Sequence, residues 1–300
     1  MMILNKKKLV THNGSFHTDD IFAAATLSIL LERKGEDFEI IRTRDEEIIK
    51  TADYVFDVGG IYDRDKNRFD HHQVGGAGKN KYGIEYSSFG LVWEKFGAEF
   101  CGSQKAADII DKKLAAPVDA HDNGVDLIES KHEVYPYFIQ WFFFAMVPTW
   151  REEDVSKDEM FFQSVEIAKK VLLREAAHAQ DFVLAEDIVR KNYSDTKDKR
   201  IIIWDKHYPS EFVLSEFPEP LFVIYPRNDT NTWGVKTIRD DIKSFKDRKS
   251  LPSAWAGLRD AELQNITGVI DAIFCHRALF MAVVGSKENA IKLAEIALTK

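Results

Sequence analysis

Four short segments concentrate side chains that bind metal ions or move protons. The first is Thr11-His12-Asn13-Gly14-Ser15-Phe16-His17-Thr18-Asp19-Asp20. Asp57 stands next, ahead of Val58-Gly59-Gly60, followed by Asp70-His71-His72-Gln73 and then Val118-Asp119-Ala120-His121-Asp122-Asn123-Gly124. Each residue has an ordinary use when taken singly. A histidine near a strand end is commonly a hydrogen-bonded structural group, Asp19 suits a helix cap, Asp57 suits a turn before two glycines, and Asp122-Asn123-Gly124 reads as a turn. Together they point elsewhere. Five of the nine histidines fall in these segments, each with an aspartate close by. Burying so many ionisable groups near one another is costly unless a cation neutralises them. Mixed imidazole and carboxylate donors suit Mn²⁺, Fe²⁺ or Zn²⁺. The absence of cysteine from the cluster disfavours a structural zinc site.

The elements that must position these groups alternate. Leu9–Thr11 reads as a buried strand and Asp20–Arg33 as a helix capped by Thr18 or Asp19, with Gly35 beyond its end. Phe38–Arg42 and Tyr54–Asp57 read as further strands around a short helix at Asp45–Thr51. Strand–helix–strand repetition at this spacing predicts a parallel sheet with crossover helices, whose strand ends are the usual place for a site. Arg68–Asp70 is a short strand and Gln73–Lys81 a glycine-rich, mobile loop. Helical patterns follow at Ser88–Phe96, Ser103–Ala116 and Asp158–Tyr193, and Tyr135–Phe144 reads as an aromatic helix of the core. The polar stretch Ser194–Arg200 is the best linker. Beyond it, strands at Ile201–Trp204, Leu221–Tyr225, Trp233–Thr237, Ala272–Cys275 and Phe280–Val284 precede a helix at Lys287–Leu298. The expected fold is therefore α/β, with a parallel-sheet domain over residues 1–196 and a second, smaller α/β domain over 197–300.

The bulk composition, 45% hydrophobic and 30% charged, is that of an ordinary globular chain. A net charge of −8 argues against a protein that coats nucleic acid through a basic surface, yet leaves room for an enzyme whose acids are offset by bound cations. Cys101 and Cys275 are too few and too far apart for a disulfide framework. The opening Met1–Lys8 has no apolar run behind its lysines, and the apolar stretches Ile21–Leu31 and Ile139–Val147 are too short or too polar to span a bilayer. A reducing, cytoplasmic setting and no membrane partner are the expectations.

Asp70-His71-His72 resembles the signature of the DHH phosphoesterase superfamily, which includes RecJ-type exonucleases and manganese-dependent pyrophosphatases. More closely, the chain resembles the family named for the melanocyte proliferating gene, whose animal member is described as an exonuclease. The segments already quoted carry that likeness, along with Arg42-Thr43-Arg44-Asp45, Ser87-Ser88-Phe89-Gly90-Leu91 and Leu251-Pro252-Ser253-Ala254-Trp255-Ala256-Gly257-Leu258-Arg259. The resemblance implies a DHH-type catalytic domain with two divalent ions, Mn²⁺ by preference, sharing one carboxylate. It implies that His12, His17 and Asp57 hold one ion and that Asp19, Asp57, His71 and Asp119 hold the other, with Asp122 competing with Asp119. The position of His17 is usually an aspartate in the wider superfamily. His72 would face the scissile phosphate and Asp70 would orient its neighbours. The implied reaction is phosphodiester hydrolysis by a water activated between two metals.

Basic groups must bind the rest of such a substrate. Lys79 and Lys81 follow the histidines. Arg227, Lys236, Arg259, His276 and Arg277 lie in the second domain, and Arg259, His276 and Arg227 are the chosen candidates. A cleft between the domains would hold RNA or a short oligonucleotide, with Trp233 or Trp255 available to stack on a base if not taken by the core. Two rival readings remain. One is a small-molecule phosphoesterase acting on pyrophosphate, a nucleoside phosphate or a cyclic dinucleotide, and the other is a metal-stabilised binding protein without turnover.

Overall fold

The expected alternation is realised in the computed structural model of the chain, which describes residues 6–241, 244 and 246–300. The opening residues 1–5, part of the stretch read above for a leader, lie outside the described residues. Strand β1 (Lys7–Thr11) leads into helix α1 (Thr18–Lys34), followed by β2 (Phe38–Arg42), α2 (Glu46–Thr51), β3 (Tyr54–Phe56), β4 (Tyr62–Asp63) and β5 (Arg68–Phe69). The sheet order is β2-β1-β3-β5-β4. All neighbours are parallel except β4, which runs antiparallel to β5. Because β1, β3 and β5 are adjacent and point the same way, the residues that follow them emerge side by side on one edge. The first three chemistry-bearing segments are those residues.

Helix α1 is buried along nearly its whole length, from Thr18 to Leu31, which explains its run of small and aliphatic residues on every side. It begins at Thr18, two residues before the expected Asp20. His17 is the N-cap, so Asp19 and Asp20 fall in the first turn, and the Asp20 carboxylate accepts the His17 backbone N–H at 3.0 Å. Gly35 ends the helix at φ +68°, in the left-handed region that glycine adopts freely.

Helix α3 (Ser88–Cys101) packs on α1, with Phe22 stacked on Phe89 at 5.1 Å. Next come α4 (Gln104–Ile110), a π-helical turn (Asp111–Ala115) and α5 (Ala116–Asp122). The sequence pattern ends a helix near Ala116, but the chain stays helical to Asp122. Pro117 explains the π-turn. Proline offers no N–H and crowds the carbonyl one turn before it, and a widened turn relieves both. Helix α6 (Ile139–Phe144) is shorter than the aromatic run predicted and is not a core helix. Among its residues only Gln140 and Phe143 are buried. Nor is the loop after β5 left loose, since Asn80 is buried and donates to Asp119 at 3.0 Å.

Helix α7 (Lys157–Asp195) carries the long apolar stripe. The chain divides into two compact units, Met1–Gln180 and Asp181–Lys300. The division falls inside α7, ahead of the 196/197 boundary read from the polar stretch. Phe161, Val165, Ala168 and Leu172 are buried in the first unit, whereas Val189 joins Trp204, Val213 and Leu214 in a core of the second.

The second unit contains β6 (Ile201–Ile203), α8 (Glu211–Leu214), β7 (Phe222–Arg227), β8 (Thr232–Thr237), α9 (Asp260–Thr267), β9 (Ala272–Cys275), β10 (Met281–Val284) and α10 (Lys287–Thr299). Its sheet order is β6-β7-β8-β10-β9, parallel only between β6 and β7. Phe222, Trp255, Leu263 and Leu293 fill its core. Trp255 is therefore a packing residue and cannot stack on a base. The molecule is mixed α/β with two sheets, and among the described residues no helix is long and apolar enough to cross a membrane.

Candidate metal centre

His12 leaves β1, Asp57 leaves β3, and Asp70, His71 and His72 leave β5. The local chain is bent to deliver them. Asp57 sits at φ +56°, a left-handed conformation that costs a non-glycine residue energy and needs support from its surroundings. The following Gly59 and Gly60 also have positive φ and turn the chain away. The Asp57 carboxylate faces two imidazoles. Its Oδ2 lies 3.0 Å from His12 Nε2 and its Oδ1 lies 3.3 Å from His71 Nε2. His12 Nε2 is also 3.3 Å from Asp20 Oδ2, and His71 Nε2 is 3.3 Å from Asp122 Oδ2. The His71 and His72 rings lie 4.2 Å apart at a 43° tilt.

Three sets of potential ligand atoms, each mutually within 4.8 Å, result: His12, His17 and Asp57; Asp57, His71 and His72; and Asp19, His71 and Asp122. The first matches the expected ligand set of one ion. The last has Asp122 in place of the expected Asp119 and does not itself include Asp57, and Asp119 does not reach the cluster. Its carboxylate is fully engaged elsewhere, accepting the Ser87 backbone N–H at 2.9 Å, the Ser87 hydroxyl at 2.7 Å and the Asn80 amide at 3.0 Å. Asp122, one turn later on α5, takes the place beside His71. The partner of Asp119 on α3 must be small. A Cβ added at Gly90 would lie 2.1 Å from Asp119 Oδ1.

Buried polar atoms test whether cations fit. Asp19 Oδ1, Asp20 Oδ2, Asp57 Oδ1 and His71 Nε2 are buried and lack a hydrogen-bond partner, a costly state for native groups unless something else binds them. The titration pattern agrees. Burial opposes the charge on His12, but the close carboxylates of Asp20 and Asp57 outweigh it and raise its pKa to about 10. Burial likewise opposes His71, which Asp57, Asp122 and Asp19 raise to about 9. Burial drives Asp20 up to about 7 and Asp122 to about 8, with neighbouring carboxylates adding to both. Asp57 is held near 2 because His12 and His71 overcome its burial. Protons fill a deficit of positive charge here, and divalent ions would fill the same deficit with neutral imidazoles as ligands.

Asp70 stands behind the cluster. Its Oδ1 accepts the His72 backbone N–H at 3.1 Å and lies 2.8 Å from His72 Nδ1, and its Oδ2 accepts the Gly60 N–H at 2.5 Å. Asp70 thus fixes the orientation of His72, whose ring is largely exposed. Two cavities open on the cluster. The larger, 670 Å³, has His17, Asp57, His71 and Asp122 against Trp141 and Phe144 of α6. The smaller, 380 Å³, has His12, His72, Gly59 and Gly60 facing Arg44. Among the described residues no carboxylate pairs with Arg44. The sequence segment holding Arg44 was visible, but nothing in its composition distinguished Arg44 from Arg42. Arg42 is instead used structurally, bonding Asp158 and the Gly14 carbonyl and lying over Phe161. Asp20 was also missed, because next to Asp19 it reads as helix-opening acid.

The basic candidates separate. Lys81 is held by Asp108 at 2.8 Å and Asp111 at 3.1 Å, and Lys236 by Glu211 at 2.8 Å. In the second unit, Arg259 lies over the Phe274 ring at 4.5 Å, and the same ring neighbours His276 at 6.1 Å. Arg227 pairs with Thr232, at the opposite end of the β7–β8 ladder from Lys236, which pairs with Met281, the strand residue whose carbonyl receives the His276 N–H. The sheet register thus brings Arg259 and His276 together and leaves Arg227 at the far end.

A family model, MYG1_exonuc, described as an uncharacterised protein family (UPF0160), matches residues 8–298. The chain is 30% identical over 329 residues to a MYG1 exonuclease of Homo sapiens, covering 98% of this chain and 86% of that protein. It is 29% identical to a MYG1 exonuclease of Rattus norvegicus, covering 98% and 85%. A MYG1 protein of Schizosaccharomyces pombe is also 29% identical, with 98% of each chain covered. Among solved structures, CDC45 from Entamoeba histolytica aligns at 12% identity with a TM-score of 0.27, covering 98% of this chain and 95% of that one. Exonuclease RecJ bound to manganese aligns at 11% identity and 0.26, covering 98% and 91%.

Proposed function

The chain belongs to the MYG1_exonuc family, and from that premise we propose that it is a metal-dependent phosphodiesterase that acts on RNA or short oligonucleotides in the manner of an exonuclease. One observation carries the reading: the two oxygens of Asp57 each face a different imidazole, at 3.0 and 3.3 Å, with a further set of acids and histidines beyond each. A carboxylate so placed suits two ions at once. His12, His17 and Asp57 are the proposed ligands on one side, and Asp57, Asp19, His71 and Asp122 on the other. Divalent ions bound there, Mn²⁺ by preference, would lower the pKa of a water and offset charge on the phosphoryl oxygens.

The chain's own residues supply the rest. Hydrolysis forms a P–O bond to the water oxygen and breaks the P–O bond to the leaving oxygen, which must gain a proton. With Nδ1 held by Asp70, His72 presents Nε2 for that transfer. Arg44, which no carboxylate pairs with among the described residues, offers its guanidinium to a non-bridging phosphate oxygen. Arg259 and His276 are proposed substrate contacts of the second unit, and Arg227 is a weaker one. Two separate, buried thiols, Cys101 and Cys275, suit a reducing, cytoplasmic compartment.

The test is metal analysis joined to a substrate screen over RNA, DNA, short oligonucleotides and pyrophosphate. Hydrolysis of oligonucleotides with added Mn²⁺ is the expected result. Turnover of pyrophosphate alone would replace the reading with a small-molecule phosphoesterase, and failure on every substrate would leave a metal-binding protein. Asp57→Asn should cut turnover at least about 100-fold with the circular dichroism spectrum retained, because asparagine tolerates the left-handed backbone but brings no charge. Near-normal turnover would sink the shared-carboxylate assignment.

A further inference from the structure

Helix α6 is held in place by few of its residues. Gln140 donates to the Pro117 carbonyl at 3.3 Å, and the buried Phe143 ring packs edge-on against Phe22 at 5.5 Å. These anchors tie α6 to α5 and α1, the two helices that carry Asp122, Asp19 and Asp20. Anchored so, α6 turns Trp141 and Phe144 into the 670 Å³ cavity. Trp141 is 39% exposed and Phe144 71% exposed. Single exposed rings are common on a surface, but two rings side by side on the wall of a cavity make a contiguous apolar patch of the kind that marks a binding site.

The position of this wall limits its occupant. It shares one cavity with His17, Asp57, His71 and Asp122, so whatever lies on it lies beside whatever the metal ligands hold. A cavity of this volume fits a nucleotide. The amide donors along the wall are mostly committed. Gln140 is bound to Pro117, and Asn123 donates to the Glu85 and Asp119 carbonyls at 2.9 Å each. The wall therefore offers chiefly ring faces, with one N–H of Gln140 left over.

We propose that Trp141 and Phe144 form a stacking subsite for the nucleobase next to the scissile phosphate, which makes the substrate nucleotidyl rather than a bare phosphoanhydride or a sugar phosphate. This rests on the phosphodiesterase reading for its catalytic meaning, while the binding claim stands separately. Base–aromatic stacking contributes about 1–3 kcal/mol per base, or roughly 5- to 150-fold in affinity.

The experiment compares adenosine 5′-monophosphate with ribose 5-phosphate by calorimetry on the full chain with Mn²⁺, beside cleavage of a dinucleotide and its abasic analogue. The wild type should favour the base-bearing ligand by a factor in that range. Trp141→Ala and Phe144→Ala should each shrink that preference at least about fivefold, and Trp141→Phe should restore most of it. Equal affinity for the two ligands, including no binding of either, overturns the subsite, as does a preference that survives both alanine variants. Should no phosphodiester be cleaved while the calorimetric preference holds and is lost on mutation, the hydrolase reading fails and the subsite stands. Cleavage of dinucleotide and abasic analogue at equal rates fails the subsite and leaves the hydrolase.

Discussion

Two aspartates three residues apart on one helix have different partners. Asp119 accepts three hydrogen bonds from Ser87 and Asn80 and joins α5 to α3 and the loop after β5. Asp122 has His71 at 3.3 Å. Replacing each with asparagine should separate the roles. Asp122→Asn should lower bound metal measured by atomic absorption with little change in the melting temperature of the chelated protein. Asp119→Asn should retain metal but destabilise by about 1–3 kcal/mol, since an amide cannot accept from every donor that the carboxylate satisfies. Metal loss from Asp119→Asn with none from Asp122→Asn would restore the opposite assignment. Sequence alone could not decide between them. Both lie in one quoted segment, and which one points to the cluster depends on the register of a helix whose π-turn leaves no mark in apolar periodicity.

At the scale of elements, most of the first unit was legible. Apolar strands bounded by turn residues, and a helix starting within two residues of its expected cap, follow from local chemistry. The convergence of the His12, Asp57 and His71 segments was legible too, because parallel strands deliver their ends to one edge. Helix α6 was misread because hydrophobic content does not say which side of a short helix is covered, and here α1 takes Phe143 and leaves its neighbours. Arg44 and Asp20 were missed because only the folded chain shows what lies opposite them. One element contact can be tested directly. Gly90 lets α3 approach Asp119, and a Cβ there would meet the carboxylate at 2.1 to 2.6 Å. Gly90→Ala should cost about 3 kcal/mol through forced separation of α3 and α5, read as a lower urea midpoint. An unchanged midpoint would show that the two helices are not in tight register.

For the whole molecule, the three groups of candidate metal ligands belong to the first unit, and the second has its own core around Trp255 and Leu293. Chelation should therefore act locally. Removing bound metal with EDTA should raise amide hydrogen exchange after β1, β3 and β5 and in the first turn of α1, where Asp19, Asp20 and Asp57 would repel one another. Peptides from β7 to α10 should exchange as before. A uniform rise through both units would show that the metal centre supports the entire chain.

The π-turn at Asp111–Ala115 also limits which changes in chain length the site can absorb. Each residue in a helix advances its azimuth by about 100°. Losing a single residue between Gln104 and Asp122 would swing the latter side chain about a quarter-turn away from His71, however conservative the remaining sequence. Outward-facing positions of this helix can drift freely, but its residue count behaves as a dial with one working setting.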